Sequence, residues 1–147
     1  NESEKDWESS FSHNNFVSSV SQKVRTVKID DYLKNQKIKD YFLFLKIDVE
    51  GNEFEVIKSA LNIIKKNSPI IIIEFSKYNF LEKNENYKFF NQFLKKFNYN
   101  IYSVNNKKMK PEEILKMVRT LTKRHETIGN YFLIKSGSKE ENILIYE

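Results

Sequence analysis

Between Tyr41 and Val49 the chain reads Y-F-L-F-L-K-I-D-V, an almost continuous apolar run that ends in charge. Apolar residues at both odd and even positions fit a strand covered on both faces, the kind that lies within a parallel sheet. Gly51 and Asn52 punctuate the run, and Asn52 with Glu55 three residues on forms an Asn-led capping box. From about Glu53 to Lys66 the period becomes that of a helix: Phe54, Ile57, Leu61 and Ile64 fall on one face, with Lys58, Lys65 and Lys66 outside it. Pro69 closes the connection, and I-I-I-I-E-F from Ile70 to Phe75 gives a second strand of the buried type. Together these make a βαβ unit, whose crossover should be right-handed and whose strands should be parallel, with both carboxyl ends on one side of the sheet.

Weaker patterns flank this unit. Residues Asn1 to Gln22 are rich in Ser and Asn, with Trp7, Phe11 and Phe16 scattered through them and no sustained period, so an irregular approach is expected there and one domain over 23–147. Alternation from Lys23 to Ile29 predicts a short strand, after which Asp30 offers an N-cap to a helix from Asp31 to about Lys39, with Tyr32, Leu33 and Ile38 on its apolar side. Phe89, Phe90, Phe93, Leu94 and Phe97 form a broad stripe along a helix predicted over Glu85 to Phe97, a pattern that reads as core rather than as a ligand cage. A strand follows at Asn100 to Val104, then a helix opened by Pro111 and running to about Lys123, then a strand at Asn130 to Lys135. A Gly/Ser turn at Ser136 leads to Ile143 to Tyr146, read as an extra edge strand.

Composition narrows the function classes. At 147 residues, 39% hydrophobic and 31% charged, the chain has the balance of a folded single domain. It contains no cysteine, which removes disulfides, thiolate metal sites and a cysteine nucleophile. The apolar runs fall far short of the roughly 18 residues that a membrane-spanning helix needs, so no membrane span is expected. The polar, acidic start at Asn1 lacks a signal pattern, and the chain is expected to begin mid-protein or after processing. The net charge of +5 goes with heavy use of Lys, Asn and Ile, and the basic residues are spread along most helices rather than gathered with aromatics, so nucleic acid is not an expected partner. His13 and His125 have no companion at metal-ligand spacing and read as ordinary histidines.

The stretch that can carry chemistry is K-I-D-V-E-G-N-E, Lys46 to Glu53, where the first buried strand gives way to a helix. Open α/β sheets bind ligands just beyond the carboxyl ends of their strands. The two-residue spacing of Asp48 and Glu50 puts both side chains on one side of an extended segment, and Gly51 permits the turn that follows. Such carboxylates can accept hydrogen bonds from an amino-bearing cofactor, act as general base on a hydroxyl, or hold a hard divalent cation. The plainer alternative makes Glu53 a helix-dipole partner, Glu50 a solvated turn residue and Lys46 an ion-pair partner or a side chain that snorkels out of the sheet. Glu74 ends the second strand on the same expected rim, near Asp48.

Four segments together carry a resemblance. T-V-K-I-D-D-Y-L (26–33), F-L-F-L-K-I-D-V-E-G-N-E-F-E-V-I-K-S-A (42–60), P-I-I-I-I-E-F (69–75) and G-N-Y-F-L-I (129–134) are similar to the FkbM methyltransferase family, over roughly residues 23–135. The resemblance implies an α/β fold, the C-terminal half of a class I (Rossmann-like) doubly wound sheet, mostly parallel with its last strand antiparallel. It implies a cytoplasmic O-methyltransferase that moves the methyl group of S-adenosylmethionine to a hydroxyl of a sugar, glycan or secondary metabolite. It further implies Asp48, Glu50 and Glu74 as the catalytic candidates, and Lys46, Asp48 and Glu53 beside the cofactor, with no metal ligand set assigned. The family's first strand, Gly-rich loop and ribose-binding acid have no counterpart in Asn1 to Gln22 and are expected to precede residue 1. The rival reading is a non-catalytic α/β module for an anionic partner. A Gly-rich strand-turn-helix encoded upstream in the same frame would favour the enzyme.

Overall fold

The computed structural model describes residues 25–34, 36, 44–82, 85–124 and 126–146. The predicted βαβ unit is present: β1 (Phe44–Ile47) and β2 (Ile70–Ser76) are parallel neighbours, joined through α2 (Glu53–Ser59) and α3 (Leu61–Asn67). Among the described residues the sheet has five strands in the order β1-β2-β5-β3-β4, with β3 at Tyr99–Ser103, β4 at Lys108–Met109 and β5 at Thr127–Lys135. β5 inserts between β2 and β3 and runs antiparallel to both, so β1, β2 and β3 all point one way. The expected antiparallel last strand is therefore there. Three of the four neighbouring pairs in this sheet are antiparallel, two of them through β5, even though β1, β2 and β3 share a direction.

The sequence drives this arrangement by burial. Ile71, Ile73 and Phe75 of β2 are completely covered, and with Leu133 of β5 they form the floor on which Phe54, Ile57 and Phe90 pack. The aromatic stripe belongs to α4 (Asn86–Phe97), where Phe90, Phe93, Leu94 and Phe97 are buried and Phe89 lies at the edge of the core. Phe75 has its ring centroid 5.1 Å from both Phe80 and Phe90, in edge-on contacts that favour aromatic pairs over a flat stack.

Several expectations give way. No strand forms over 25–28, and Ile29 begins α1 (Ile29–Leu33); residues 23, 24 and 37–43 lie outside the described residues. Asp30 does not cap the helix that follows it in sequence. Its two carboxylate oxygens instead accept the backbone N–H groups of Asn62 (2.9 Å) and Ile63 (3.0 Å), the otherwise unpaired donors at the start of α3. That cap explains why the helix predicted over 53–66 is divided at Ala60: the Ser59 hydroxyl donates to the Val56 carbonyl while Ala60 N–H turns to Ile57. Asn52 precedes α2 without a side-chain capping bond, and Glu55 pairs with Lys58 at 2.7 Å instead of closing a capping box. α5 (Pro111–Arg119) ends short of Lys123, and the hairpin strand β4 was not anticipated.

The chain end is the clearest reversal, since 143–146 belong to α6 (Lys139–Tyr146) and not to an edge strand. Gly137, at φ 76°, turns the chain, and Ser138 caps the new helix by accepting Glu141 N–H at 3.2 Å. Glu141 then enters the interior, where it accepts hydrogen bonds from Asn100 Nδ2 (2.5 Å), Tyr102 Oη (2.7 Å) and Gly137 N–H (2.7 Å). Its burial opposes ionisation, but the Gly137, Tyr102 and Asn100 donors, with Lys108 nearby, outweigh that and hold its carboxyl below the ordinary range.

A carboxyl whose folded pKa is depressed adds stability that is complete above its unfolded value of about 4.3 and lost as pH falls through the folded value. Glu141→Gln should therefore lower unfolding free energy by about 1–3 kcal/mol at neutral pH. The gap to the wild type should shrink below about pH 4, where the wild type loses the same charge. Urea midpoints of both proteins across that range test this, and a gap that stays constant would refute the linkage.

Candidate active site at the carboxyl end of the parallel strands

The β1–β2 register pairs Lys46 with Ile72 and Ile47 with Ile73. The paired register ends there: Asp48 follows directly after β1, and Glu74 follows Ile73 in the neighbouring parallel strand. Asp48 and Lys46 form an ion pair at 2.5 Å with 46% and 58% of their side-chain surfaces exposed, so the pair stays open to solvent at the rim. Glu50 is exposed at the turn that follows, at φ 52°, and Gly51 continues in the left-handed region at φ 107°. Two consecutive residues there are costly for any side chain but glycine's, and the turn needs an external hold.

Glu53 supplies it. Far from facing the rim, this side chain is 1% exposed. Its Oε1 accepts the N–H of Gly51 (3.0 Å) and of Val49 (3.4 Å), and its Oε2 accepts Asn79 Nδ2 (2.6 Å). The expectations of a rim ligand and of a simple dipole partner both miss this, because the carboxylate is spent on the loop's own backbone. A buried carboxylate needs such donors.

Asn79 sits in a single π-helical turn, Tyr78–Glu82, that follows β2 directly. The neighbouring Tyr78 ring lies across the β1 turn: a Cβ on Gly51 would fall 2.3 Å from Tyr78 Cδ1. The Arg124 guanidinium stands over that ring, 4.0 Å from its centroid. Arg124 is brought there because the ladder continues irregularly past β2, with Lys77 N–H donating to Glu126 O and Tyr78 N–H to Arg124 O, both at 3.1 Å. The preceding register shift puts one residue of β2, Phe75, against two of β5, Ile128 and Gly129, and is accommodated by Gly129 at φ 89°. Glu126 braces the same loop by accepting the N–H of Lys123 (3.0 Å) and Thr122 (2.6 Å), which holds its carboxyl below the usual range.

Of the predicted site residues, the structure thus pairs Lys46 with Asp48 at the end of β1, keeps Glu74 half-buried in the neighbouring β2, leaves Glu50 exposed on the turn, and buries Glu53 beneath it. Among the described residues no group of three His, Cys, Asp or Glu is placed to hold a metal ion. His13 and His125 lie outside the described residues. Sequence reasoning missed Ser76, Tyr78, Asn79, Asn86 and Arg124. The available signal was F-S-K-Y-N, a sudden polar cluster directly after an apolar strand, at 75–79.

The fold and site define a mixed α/β protein whose acidic rim lies where parallel strands end. The family model described as the Methyltransferase FkbM domain matches residues 1–101, well over half of the chain, and the chain belongs to that family. The match begins before the segments that carried the resemblance and ends within β3, ahead of β5. No curated protein and no solved structure matches. Among the described residues no helix is long and apolar enough to cross a membrane.

The Gly51–Tyr78 contact is directly testable. Gly51→Ala meets both a ring carbon and an unfavourable φ, whereas Gly129→Ala meets only the φ, since its Cβ would have open space. Gly51→Ala should be the more destabilising by about 1–3 kcal/mol, the usual cost of overpacking. Equal melting temperatures for the two variants would show that Tyr78 yields without cost.

Proposed function

We propose that this chain carries the acceptor side of an S-adenosylmethionine-dependent O-methyltransferase, with a hydroxyl of a sugar, glycan or secondary metabolite as acceptor. The observation that carries the reading is the Lys46–Asp48 pair just past the carboxyl end of β1, beside a turn held from beneath by Glu53 and next to β2, the parallel strand that carries Glu74. Family membership supports methyl transfer in general.

The residues present suit one end of the cofactor. Exposed Asp48 and Glu50, with half-buried Glu74 on the neighbouring strand, favour a cationic group and can accept hydrogen bonds from an ammonium. The adenosine end finds no such match among the described residues, where the glycines stand singly at 51, 129 and 137 and build no phosphate- or ribose-type cradle. When bound, S-adenosylmethionine supplies an activated methyl group on a positively charged sulfur. Asp48 is the residue assigned to receive the acceptor hydroxyl's proton, with Lys46 fixing its orientation through the 2.5 Å pair. Glu74 and Glu50 add negative potential along the rim. In-line transfer depends mainly on positioning, so rigid placement of this rim matters as much as its charge.

Two outcomes are expected. Asp48→Asn, in the gene product that contains this chain, should lower kcat for methyl transfer by about a hundredfold or more. The fold should survive, since an exposed ion pair contributes only about 0–1 kcal/mol. Undiminished turnover, or a loss that follows the melting temperature, would remove Asp48 from the base role. Residues 1–147 alone should bind S-adenosylmethionine weakly or not at all by isothermal titration. Tight binding would mean that the adenosine cradle lies within the chain.

A further inference from the structure

We infer that Asn79 is a positioning residue: through Glu53 it latches the segment after β2 to the turn after β1, and so fixes where Asp48 and Glu50 stand. The consequence for turnover rests on the methyltransferase reading, whereas the latch itself does not.

The polar atoms of Asn79 are all engaged. Its Nδ2 donates to Glu53 Oε2 (2.6 Å) and to the main-chain carbonyl of Glu74 (2.9 Å), and its Oδ1 accepts Ser76 N–H (2.9 Å). These partners also fix the orientation of the amide, because the reversed group would set donor against donor at Ser76 and acceptor against acceptor at Glu53. Its main-chain N–H donates to Ser76 Oγ (3.1 Å), and its carbonyl accepts Asn86 Nδ2 from the start of α4 (2.6 Å). Asn79 is 1% exposed, so it touches no ligand at the rim. It acts through Glu53, whose other oxygen grips Gly51 and Val49, the residues on either side of Glu50.

The chain of bonds therefore runs from the Glu74 carbonyl, through one amide and one carboxylate, to the backbone next to Asp48. An apolar contact between the two loops could cover the same surface. It would not set the angle of the turn, since dispersion is non-directional and a hydrogen bond is not. Holding Glu50 at φ 52° and Gly51 at φ 107° requires a directional partner of this kind.

Exchanging the two polar groups tests the latch. Asn79→Asp opposes two carboxylates, and Glu53→Gln opposes two amide NH₂ groups. The double variant restores a donor on residue 53 facing an acceptor on residue 79, though not the bond to the Glu74 carbonyl, so its recovery is partial. Backbone hydrogen exchange at Val49 and Gly51 and steady-state methyl transfer are measured for all three in the gene product that contains this chain, at a temperature where circular dichroism shows each to be folded. In each single variant the two amides should exchange at least about tenfold faster, and kcat should fall on the order of a hundredfold with KM little changed, as expected for a misplaced catalytic group. The double variant should recover much of both. Wild-type exchange at Val49 and Gly51 in folded Asn79→Asp overturns the latch, and so does a kcat loss in the single variants that the double leaves unrelieved. If the single variants fail to fold, exchange in the double variant decides alone: protection near wild type supports the latch, and fast exchange overturns it. If the unaltered gene product transfers no methyl group, the methyltransferase reading falls while the exchange data still judge the latch.

Discussion

A carboxyl group with 1% of its surface exposed persists in a folded chain only where donors meet it, and Glu53 meets Val49 N–H, Gly51 N–H and Asn79 Nδ2. Much of the site's geometry depends on that one requirement. The β1 turn must curl over the first turn of α2 to bring its amides within reach, which forces Glu50 and Gly51 into left-handed conformations. The segment after β2 must widen into a π-helical turn to present Asn79, and that turn lays Tyr78 across Gly51. Loops from two parallel strands become one assembly, with an interior that is polar and satisfied: no buried side-chain nitrogen or oxygen among the described residues lacks a partner.

The apolar pattern made the framework readable. Runs such as I-I-I-I-E-F bury every second residue completely, and the burial of Ile71, Ile73 and Phe75 beneath Phe54 and Phe90 leaves the βαβ unit few alternatives. The antiparallel last strand was expected from the family resemblance. Its insertion between β2 and β3, next to none of its sequence neighbours, is a tertiary choice that period and propensity do not encode. The tail misled for a related reason. Ile143 to Ile145 has strand composition, but Ser138 and Glu141 act as helix-start residues, and Glu141 gains three buried-side donors only if the segment is helical. Tertiary partners overrode local preference there, as they did at Asp30, whose carboxylate caps a helix some thirty positions along the chain.

The candidate site was readable by location and less so by role. Lys46, Asp48 and Glu74 could be placed because strand ends, register and side-chain alternation follow from the sequence. Glu53 could not, since one carboxylate in a first helical turn looks the same whether it faces water or a backbone nest. Its burial depends on Asn79, 26 residues away, and that contact exists only once β2 and its following turn are in place.

Exposed and buried acids in this protein divide the labour that methyl transfer would demand. A general base must stay accessible to its substrate and so gains little rigidity from its own surroundings; among the described residues Asp48, with 46% of its side chain exposed, is held by the Lys46 pair alone. Rigidity has to come from the backbone beneath it. A hydrogen-bonded carboxylate is well suited to that task, because it is strong when desolvated, directional, and intolerant of a one-atom change in its partners. Placing it five residues beyond the proposed base, as K-I-D-V-E-G-N-E does, lets a single short segment carry both Asp48 and the residue that holds it still. The same economy explains why Gly51 lies between them: only a residue without a side chain lets the Tyr78 ring close down on the turn while Glu53 draws its amide inward.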